Sequence, residues 1–179
     1  KLFMYDSFGA TDWDLIQNTI RFLAHSEGIK LFYLDHLTAL AAAEDDERTG
    51  LERITAQMGS LVKELGITLH VISHLATPHG TPHEEGGRVM IRHFKGSRAI
   101  GFWSHTIIGL ERDQQADTPL ERSVTTFRIL KHRVAGHVVG ETMFLQYDRD
   151  TGRLLECATD PRPSKDTHGF EPVNQTPDF

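Results

Sequence analysis

The sequence predicts an α/β domain over residues 1–156, followed by a flexible tail over residues 157–179. Short apolar runs of strand length alternate along the chain with stretches in which apolar residues recur every three or four positions. The composition fits one globular domain with a sizeable core, because 39% of the 179 residues are hydrophobic and 25% are charged. The single cysteine, Cys157, excludes an internal disulfide, and no apolar run approaches the ~20 residues that span a bilayer.

Parallel strands buried on both faces of a sheet are predicted at residues 2–5, 31–37, 67–73 and 105–110. Two amphipathic helices are predicted between the first three of them. The first covers about residues 12–25, with its inward face made of Leu15, Ile16, Ile20, Phe22 and Leu23. The second covers residues 51–65 and ends at Gly66. This alternation predicts right-handed crossovers and a mostly parallel sheet with helices on its faces.

The chain changes character after Leu110. Longer strand-like stretches at residues 124–133 and 141–148 are joined by a glycine-containing turn, which predicts antiparallel strands at the carboxyl-terminal side of the sheet. A hairpin is predicted around residues 150–152. The residues after Glu156 hold four of the seven prolines and little periodic apolar content, which predicts the tail.

Three segments are candidate functional loops, at residues 41–50, 76–88 and 93–102. All three fall at or after the carboxyl ends of predicted parallel strands, where open α/β sheets bind ligands. The segment from residue 88 to residue 133 carries nine Lys/Arg against four Asp/Glu, although the chain as a whole has a net charge of −6. Such a basic block suits contact with phosphate, and it equally describes a solvated surface without a partner.

Two polar residues follow neighbouring predicted strands. Asp35 comes directly after the apolar run 31–34, where nucleotide hydrolases hold the magnesium ion that bridges the outer phosphates. An aspartate that merely caps a turn is the alternative. His74 follows the next strand, where it could contact a terminal phosphate or be a structurally satisfied histidine.

Other patterns leave alternatives open as well. Lys131 and Arg133 follow a strand and precede a glycine-containing turn, so Arg133 could reach a phosphate in a neighbouring subunit or lie on the surface without a partner. A zinc site at His70, His74, His79 and His83 is disfavoured, because prolines and glycines interrupt the helix that this spacing needs. The phosphate-loop pattern G-x-x-x-x-G-K-S/T does not occur in the sequence.

Several motifs in order carry a family resemblance: LFMYDSFG, LFYLDHLTAL, VISHL, HEEGGRVMIRHFKGSRAIGFWSHTIIGLERDQQ, ILKHRVAG and YDRDTGRLLE. Together, over residues 2–156, they resemble the carboxyl-terminal part of the helicase domain of phage-type replicative primase-helicases, relatives of DnaB and Twinkle. The resemblance implies a partial RecA-like P-loop NTPase core. It also implies a ring, generally of six subunits, that couples hydrolysis of an NTP, ATP or dTTP with Mg²⁺, to movement on single-stranded DNA.

The resemblance also implies roles for individual residues. Asp35 matches the Walker B acid near magnesium, His74 the phosphate-sensing residue, and Arg133 the arginine finger given to the adjacent subunit. Nucleotide contacts are expected at Arg112, Tyr147 and Lys131. DNA contacts are expected at Lys95, Gly96, Ser97, Arg98 and, more weakly because it is a poor cation at neutral pH, His79.

In the family, the phosphate loop and the water-activating glutamate lie upstream of the position of Lys1. We therefore expect this chain to be a portion of a longer helicase in the cytoplasm of a phage-infected bacterium, and to be inactive alone. The tail ends at Phe179, and phage relatives use such an end to dock on a replicative polymerase, although a plain disordered end is the alternative. Two other classes remain open: a RecA-like recombinase or ATPase regulator, and a non-catalytic adaptor that has lost the phosphate loop.

Overall fold

A computed structural model describes residues 2–5, 12–42 and 46–163 of the protein. Within these ranges the helices are α1 (Trp13–Ser26), α2 (Leu37–Ala41), α3 (Glu47–Leu65), α4 (Ser97–Trp103) and α5 (Pro119–Ser123). The strands are β1 (Leu31–Leu34), β2 (Thr68–Val71), β3 (Thr106–Glu111), β4 (Val124–His132), β5 (Thr142–Asp148) and β6 (Arg153–Cys157). Short 3₁₀ turns occupy Ile91–His93 and Gly136–Val138. No helix in the described ranges is long and apolar enough to cross a membrane.

Strands β1 and β2 form a parallel pair, with Leu34 opposite Val71 at its carboxyl end. The chain crosses from one strand to the other through α2 and α3, as the alternation of patterns predicts. Beyond the last strand pair, the Ile72 amide donates to the Leu34 carbonyl at 2.9 Å, and the Leu37 amide donates to the Ile72 carbonyl at 2.8 Å. These bonds fix the two strand ends side by side at one edge of the sheet.

Strands β3, β4, β5 and β6 form a separate antiparallel sheet in that order. The prediction that the run at residues 105–110 forms a parallel strand is wrong, because β3 pairs antiparallel with β4. The reason lies in its burial, which alternates along the strand: Ile107 is buried, whereas Ile108 and Leu110 are 37% and 61% exposed. A strand with one solvated face is typical of antiparallel sheets.

Helix α3 is the longest helix and follows the predicted pattern closely. It begins one turn earlier than expected, because the Asp46 side chain caps its first turn by accepting from the Arg48 amide, and it ends at Gly66. Its buried face includes Leu51, Ile54, Met58, Leu61 and Leu65. A Cβ atom at Gly59 would lie 2.8 Å from Cε3 of Trp103, so the absence of a side chain lets α3 and α4 pack closely.

Helix α1 is confirmed, but its inward face was predicted partly wrongly. Trp13, Ile20 and Ala24 are buried, whereas Leu15 and Phe22 are 53% and 61% exposed. These two residues are seven positions apart and therefore share one stripe, which faces away from the core. The core is formed by the helices, the parallel pair and β3, and contains Trp13, Leu37, Leu40, Ile54, Leu61 and Ile107 among its most buried side chains.

Three other expectations change. Residues 2–5 form no strand and their side chains are 45–87% exposed, since an apolar run becomes a strand only where a neighbouring strand supplies hydrogen bonds. Two predicted loops are partly helical, because residues 97–102 belong to α4 and residues 47–50 belong to α3.

The predicted tail begins too early. Cys157 pairs with Phe144 as the last residue of β6, and the Arg162 guanidinium donates to Thr126 Oγ1 at 2.8 Å. Arg162 also forms an ion pair with Asp160 at 2.8 Å. Cys157 and Arg162 therefore attach this segment to the antiparallel sheet. Residues 164–179, including Phe179, lie outside the described residues.

Candidate functional site

Asp35 and His74 follow the ends of the two parallel strands, as the sequence predicts. Asp35 comes directly after β1, and His74 lies three residues beyond β2. The peptide bond between Asp35 and His36 is cis. Asp35 is exposed, and among the described residues its carboxylate has no hydrogen-bond or ion-pair partner. A carboxylate left without a protein partner at this edge of the sheet is available to a ligand.

His36, Thr38 and His74 form a cluster beside Asp35. The imidazole rings of His36 and His74 lie 3.9 Å apart between centroids, with their planes inclined by 33°. Thr38 Oγ1 lies 2.8 Å from His36 Nδ1 and 3.5 Å from His74 Nδ1. His36 also caps helix α2, because its Nδ1 accepts from the Ala39 amide at 3.2 Å. Side chains from both strand ends therefore meet in one place.

The surroundings of Asp35 suit a magnesium ion that is held mainly by a ligand. Mg²⁺ prefers oxygen ligands and commonly uses one or two carboxylates together with water and substrate phosphates. No group of three or more potential metal-ligating side chains occurs in the part of the chain that the structure describes. The exposed Asp35 carboxylate therefore fits a phosphate-bridged magnesium ion better than an all-protein metal cage.

The segment after His74 is bonded directly to the basic Lys95-Gly96-Ser97 motif. The Lys95 amide donates to the His74 carbonyl at 3.2 Å, and the Ala76 amide donates to the His93 carbonyl at 2.7 Å. Leu75 and Phe94 form an antiparallel bridge between these bonds. The residue predicted to sense phosphate and the motif predicted to contact DNA are thus adjacent in space, although His74 and Lys95 are 21 positions apart in sequence.

Gly96 places the basic motif at the start of α4. It adopts a left-handed conformation, with φ +74°, and a Cβ atom there would lie 3.0 Å from Leu51 Cδ1. A side chain at this position would therefore be both strained and crowded. Ser97 begins α4, and Lys95 and Arg98 are exposed on either side of the turn.

Lys95 and Arg98 border a groove of about 680 Å³ between α4 and the first turn of α3. The groove also contains Arg48 and the acidic residues Asp46, Glu47 and Glu52. The basic side chains are therefore not part of a uniformly positive surface. His79 is exposed in the loop between Ala76 and Arg88, outside this groove.

Lys131 and Arg133 bind the opposite end of α4. Lys131 Nζ donates to the Gly101 carbonyl, and Arg133 Nη2 donates to the Phe102 carbonyl. Cations at a helix carboxyl terminus are favoured by the exposed carbonyls and the helix dipole. Burial and, secondarily, the positive charge of Arg133 lower the pKa of Lys131.

The two residues predicted to pack around a nucleotide base lie on the antiparallel sheet. Arg112 follows β3, and its Nε donates to the Arg122 carbonyl at 2.6 Å. Tyr147 lies on β5 opposite Leu154 and is 39% exposed. Both side chains are accessible. They belong to the antiparallel sheet, however, whereas Asp35 and His74 lie at the ends of the parallel strands.

Several interactions at this site were not predicted. His36 and Thr38 were missed, because histidine is not among the residues that usually cap helices and the contact with His74 joins residues distant in sequence. The ion pair between Glu111 and Arg128 was also missed; its Nε–Oε1 distance is 2.8 Å, and Glu111 also accepts from the Val89 amide at 3.0 Å. The available signal was the presence of one charged residue in each of two otherwise apolar strand-like stretches, Glu111 in the first and Arg128 in the second.

The fold and these strand-end groups define the class of protein as a RecA-like α/β core, in which ligands bind beyond the carboxyl ends of parallel strands. Two solved structures establish the fold. A DnaB-like replicative helicase, solved for its interactions with primase, matches with a TM-score of 0.65 and 19% identity over 84% of this chain and 36% of that one. A KaiC-like protein from Pyrococcus horikoshii matches with a TM-score of 0.58 and 12% identity, over 81% and 56% of the two chains.

Sequence comparison is more specific. The chain is 36% identical over 154 residues to the DNA helicase/primase of Enterobacteria phage T3, a match that covers 84% of this chain and 26% of that protein. The predicted resemblance to phage primase-helicases is thereby confirmed for this portion. The chain spans about a quarter of the length of the relative. No family model matches it.

Proposed function

We propose that this chain forms the carboxyl-terminal part of the motor of a replicative DNA helicase, which couples NTP hydrolysis to movement on single-stranded DNA. The 36% identity with the phage T3 DNA helicase/primase supports this assignment. One structural observation supports it most directly: the Lys95 amide donates a hydrogen bond to the His74 carbonyl. This bond joins the residue proposed to contact the nucleotide to the motif proposed to contact DNA.

On the nucleotide side, Asp35 is the residue that would hold Mg²⁺ together with the phosphates of ATP or dTTP. When bound, the ion neutralises charge on the outer phosphates. His74 lies at the adjacent strand end, where its imidazole can contact the terminal phosphate. Arg112 and Tyr147 offer an exposed cation and an exposed ring for contact with the base.

Arg133 acts between subunits in this proposal. In its own chain it follows β4 and binds the end of α4, whereas Asp35 follows β1. A guanidinium supplied by the adjacent copy would stabilise the charge that develops during phosphoryl transfer, with Lys131 beside it. This arrangement requires a homo-oligomer, which we propose to be a ring of six copies.

On the DNA side, Lys95, Arg98 and the amides around Gly96 and Ser97 would bind phosphates of a single strand without reading its sequence. His79, on the loop that follows His74, would add a weaker contact. A change at His74 reaches Lys95 through one hydrogen bond, so loss of the terminal phosphate can alter the grip on DNA. We propose that this occurs in the cytoplasm of the infected bacterium.

The test exchanges the matching segment of the phage T3 DNA helicase/primase for this chain. With Mg²⁺ and either ATP or dTTP, the chimaera should displace a strand from a forked DNA duplex. Asp35→Asn should abolish both hydrolysis and displacement, because the carboxylate charge that holds the metal is lost.

Asp14→Asn is the matched control, since Asp14 is another exposed aspartate, in the first turn of α1. It should leave both activities unchanged. Hydrolysis without displacement, together with filaments on DNA, would instead indicate a recombinase. A chimaera that folds as a ring but neither binds nor hydrolyses NTP would support the adaptor class.

A further inference from the structure

We infer that His36 is a positioning residue for His74, and that its ring holds the phosphate-facing imidazole in one orientation. The inference rests on the proposed function, in which His74 contacts the terminal phosphate. Three features carry it: the way His36 is held, the few restraints on the His74 side chain, and the contact between the two rings.

His36 is fixed by the start of α2. Its Nδ1 accepts from the Ala39 amide at 3.2 Å and lies 2.8 Å from Thr38 Oγ1. The helix that it caps is anchored in the core, because Leu37 is 2% exposed and Thr38 is 8% exposed. An imidazole bonded through one nitrogen to a buried helix end has little freedom to rotate, so it can serve as a rigid surface.

The His74 side chain has few restraints of its own. The residue is exposed, and its backbone is fixed by the bond from its carbonyl to the Lys95 amide. Among the described residues, the side chain has one ring contact, with His36, and one contact at hydrogen-bond distance, with Thr38 Oγ1. The distance of 3.5 Å to Thr38 Oγ1 is at the outer limit of a hydrogen bond, so the hydroxyl alone holds the ring weakly.

The contact between the rings therefore provides most of the restraint. With centroids 3.9 Å apart, the face of His36 blocks one side of the His74 imidazole and limits rotation about its side-chain bonds. An exposed histidine without this surface would populate several rotamers, of which only some direct a ring nitrogen at a phosphate. Loss of the His36 ring should thus lower the fraction of molecules that are ready to react.

The first experiment is a nuclear magnetic resonance measurement on the 179-residue chain, with labelled histidine. His36→Asn retains a side-chain acceptor that caps helices well and removes the ring. The expected result is a change in the His74 ring shifts and averaging of its side-chain couplings, with an unchanged circular dichroism spectrum. His36→Ser is a second ringless variant with a good capping group. His36→Phe restores a ring face without the capping nitrogen, so it should restore the ordered His74 signals in part.

His70→Asn is the matched control. His70 also stacks on an aromatic ring at the parallel pair, with its centroid 4.8 Å from that of Tyr33 and the planes inclined by 12°. Its removal should leave the His74 signals unchanged. The inference is overturned if His74 keeps the same ordered side chain in both ringless variants.

The second experiment measures hydrolysis by the chimaera described above. His36→Asn should lower kcat by about 10-fold or more while KM changes by less than about twofold, because misorientation affects reaction more than binding. An equal kcat for His36→Asn and the unsubstituted chimaera would overturn the inference. Failure of the proposed function is distinguishable, since it would leave the unsubstituted chimaera inactive while the magnetic resonance result still reports on His74.

Discussion

The two sheets of this protein hold their charged groups in opposite ways. At the parallel pair β1–β2, Asp35 has no protein partner among the described residues, and the exposed His74 side chain contacts little besides His36 and Thr38. On the antiparallel sheet, Arg128 binds Glu111, and Arg133 binds the carboxyl end of α4. The parallel edge therefore presents groups that are ready for a ligand, whereas the antiparallel sheet presents cations that are already bonded.

This difference indicates what each sheet contributes under the proposed function. The strand-end groups of the parallel pair can receive a ligand without breaking a contact in their own chain. Arg133, in contrast, already donates from Nη2 to the Phe102 carbonyl of its own chain, so a phosphate in a neighbouring subunit would compete with this carbonyl. Four predictions test this difference, in order of decreasing size of the effect.

Replacing the bonded cation Arg133 tests whether it does act between subunits. In the chimaera, Arg133→Ala should lower DNA-stimulated hydrolysis by ~10³- to 10⁵-fold, because charge in the transition state loses its partner, while nucleotide binding persists. Arg149→Ala, at an exposed arginine in the turn between β5 and β6, is the control. Hydrolysis at the full rate in Arg133→Ala would remove this residue from the mechanism. Mixing Arg133→Ala and Asp35→Asn subunits should restore part of the activity, because some interfaces then have both groups.

The ion pair between Glu111 and Arg128 tests whether the antiparallel sheet uses its charges for stability. Glu111→Leu should lower the free energy of unfolding by about 3 kcal/mol, since Arg128 and the Val89 amide lose their partner in a partly buried place. Urea denaturation measures the change. The double variant Glu111→Leu with Arg128→Met should be more stable than Glu111→Leu, because it leaves no unpaired guanidinium. If both variants are equally unstable, packing rather than charge accounts for the loss.

Replacing Lys95 tests whether the exposed cations Lys95 and Arg98 bind DNA phosphates. Lys95→Ala should weaken binding to single-stranded DNA by a similar factor for every sequence and lower the salt slope by about 1. Fluorescence anisotropy at several salt concentrations measures both quantities. Lys63→Ala, in the last turn of α3, is the control and should change neither. A sequence-dependent loss would contradict a backbone contact.

The smallest effect is expected on the pH dependence of stability, at His93. The carbonyl of this residue accepts from the Ala76 amide, beside the bond between His74 and Lys95. Burial, and secondarily the charges of His83 and Arg92, lower the pKa of His93 from its usual 6.5. The unfolded chain therefore takes up the proton at a higher pH than the folded chain. This contribution to stability is present above about pH 6.5 and is lost progressively as the pH falls from there through the lower pKa of the folded chain. Protonation at Nδ1 would also remove the acceptor of the Met90 amide.

His93→Gln should flatten the decrease in stability between about pH 7 and 5 in thermal or urea denaturation. His137→Gln, at an exposed histidine near the β4–β5 turn, is the matched control and should retain the slope. A slope that is unchanged in His93→Gln would assign the pH dependence to other histidines.

The strand ends could be predicted from the sequence because they depend on local features. An acid directly after a short apolar run, and a polar residue after the next run, lie at one sheet edge whenever the runs pair in parallel. That is what Asp35 and His74 do. Helix α3 was predictable for a similar reason, because its apolar stripe and Gly66 are local signals.

Features that depend on a distant partner could not be predicted. Residues 2–5 have the composition of a strand, but strand formation requires hydrogen bonds from elsewhere. The direction of β3 depends on its pairing with β4, and the ring contact of His36 depends on where β2 places His74. The packing of Arg162 against Thr126 likewise joins residues 36 positions apart, in a segment whose composition favours a tail.

The short length of helix α4 has a consequence for when Arg133 would be available to a neighbouring subunit. Its seven residues span only about 10 Å, with the Lys95-Gly96-Ser97 turn at one end and the Arg133 contact at the other. A hydrogen bond from a charged donor contributes roughly 1.5 to 3 kcal/mol, and a phosphate would supply a replacement acceptor, so thermal motion suffices to release the guanidinium from its carbonyl. Under the proposed function, two acceptors compete for the Arg133 guanidinium: the end of α4 in its own chain and the nucleotide of the neighbouring subunit. The acceptor that binds it would decide whether the neighbouring subunit can hydrolyse its nucleotide.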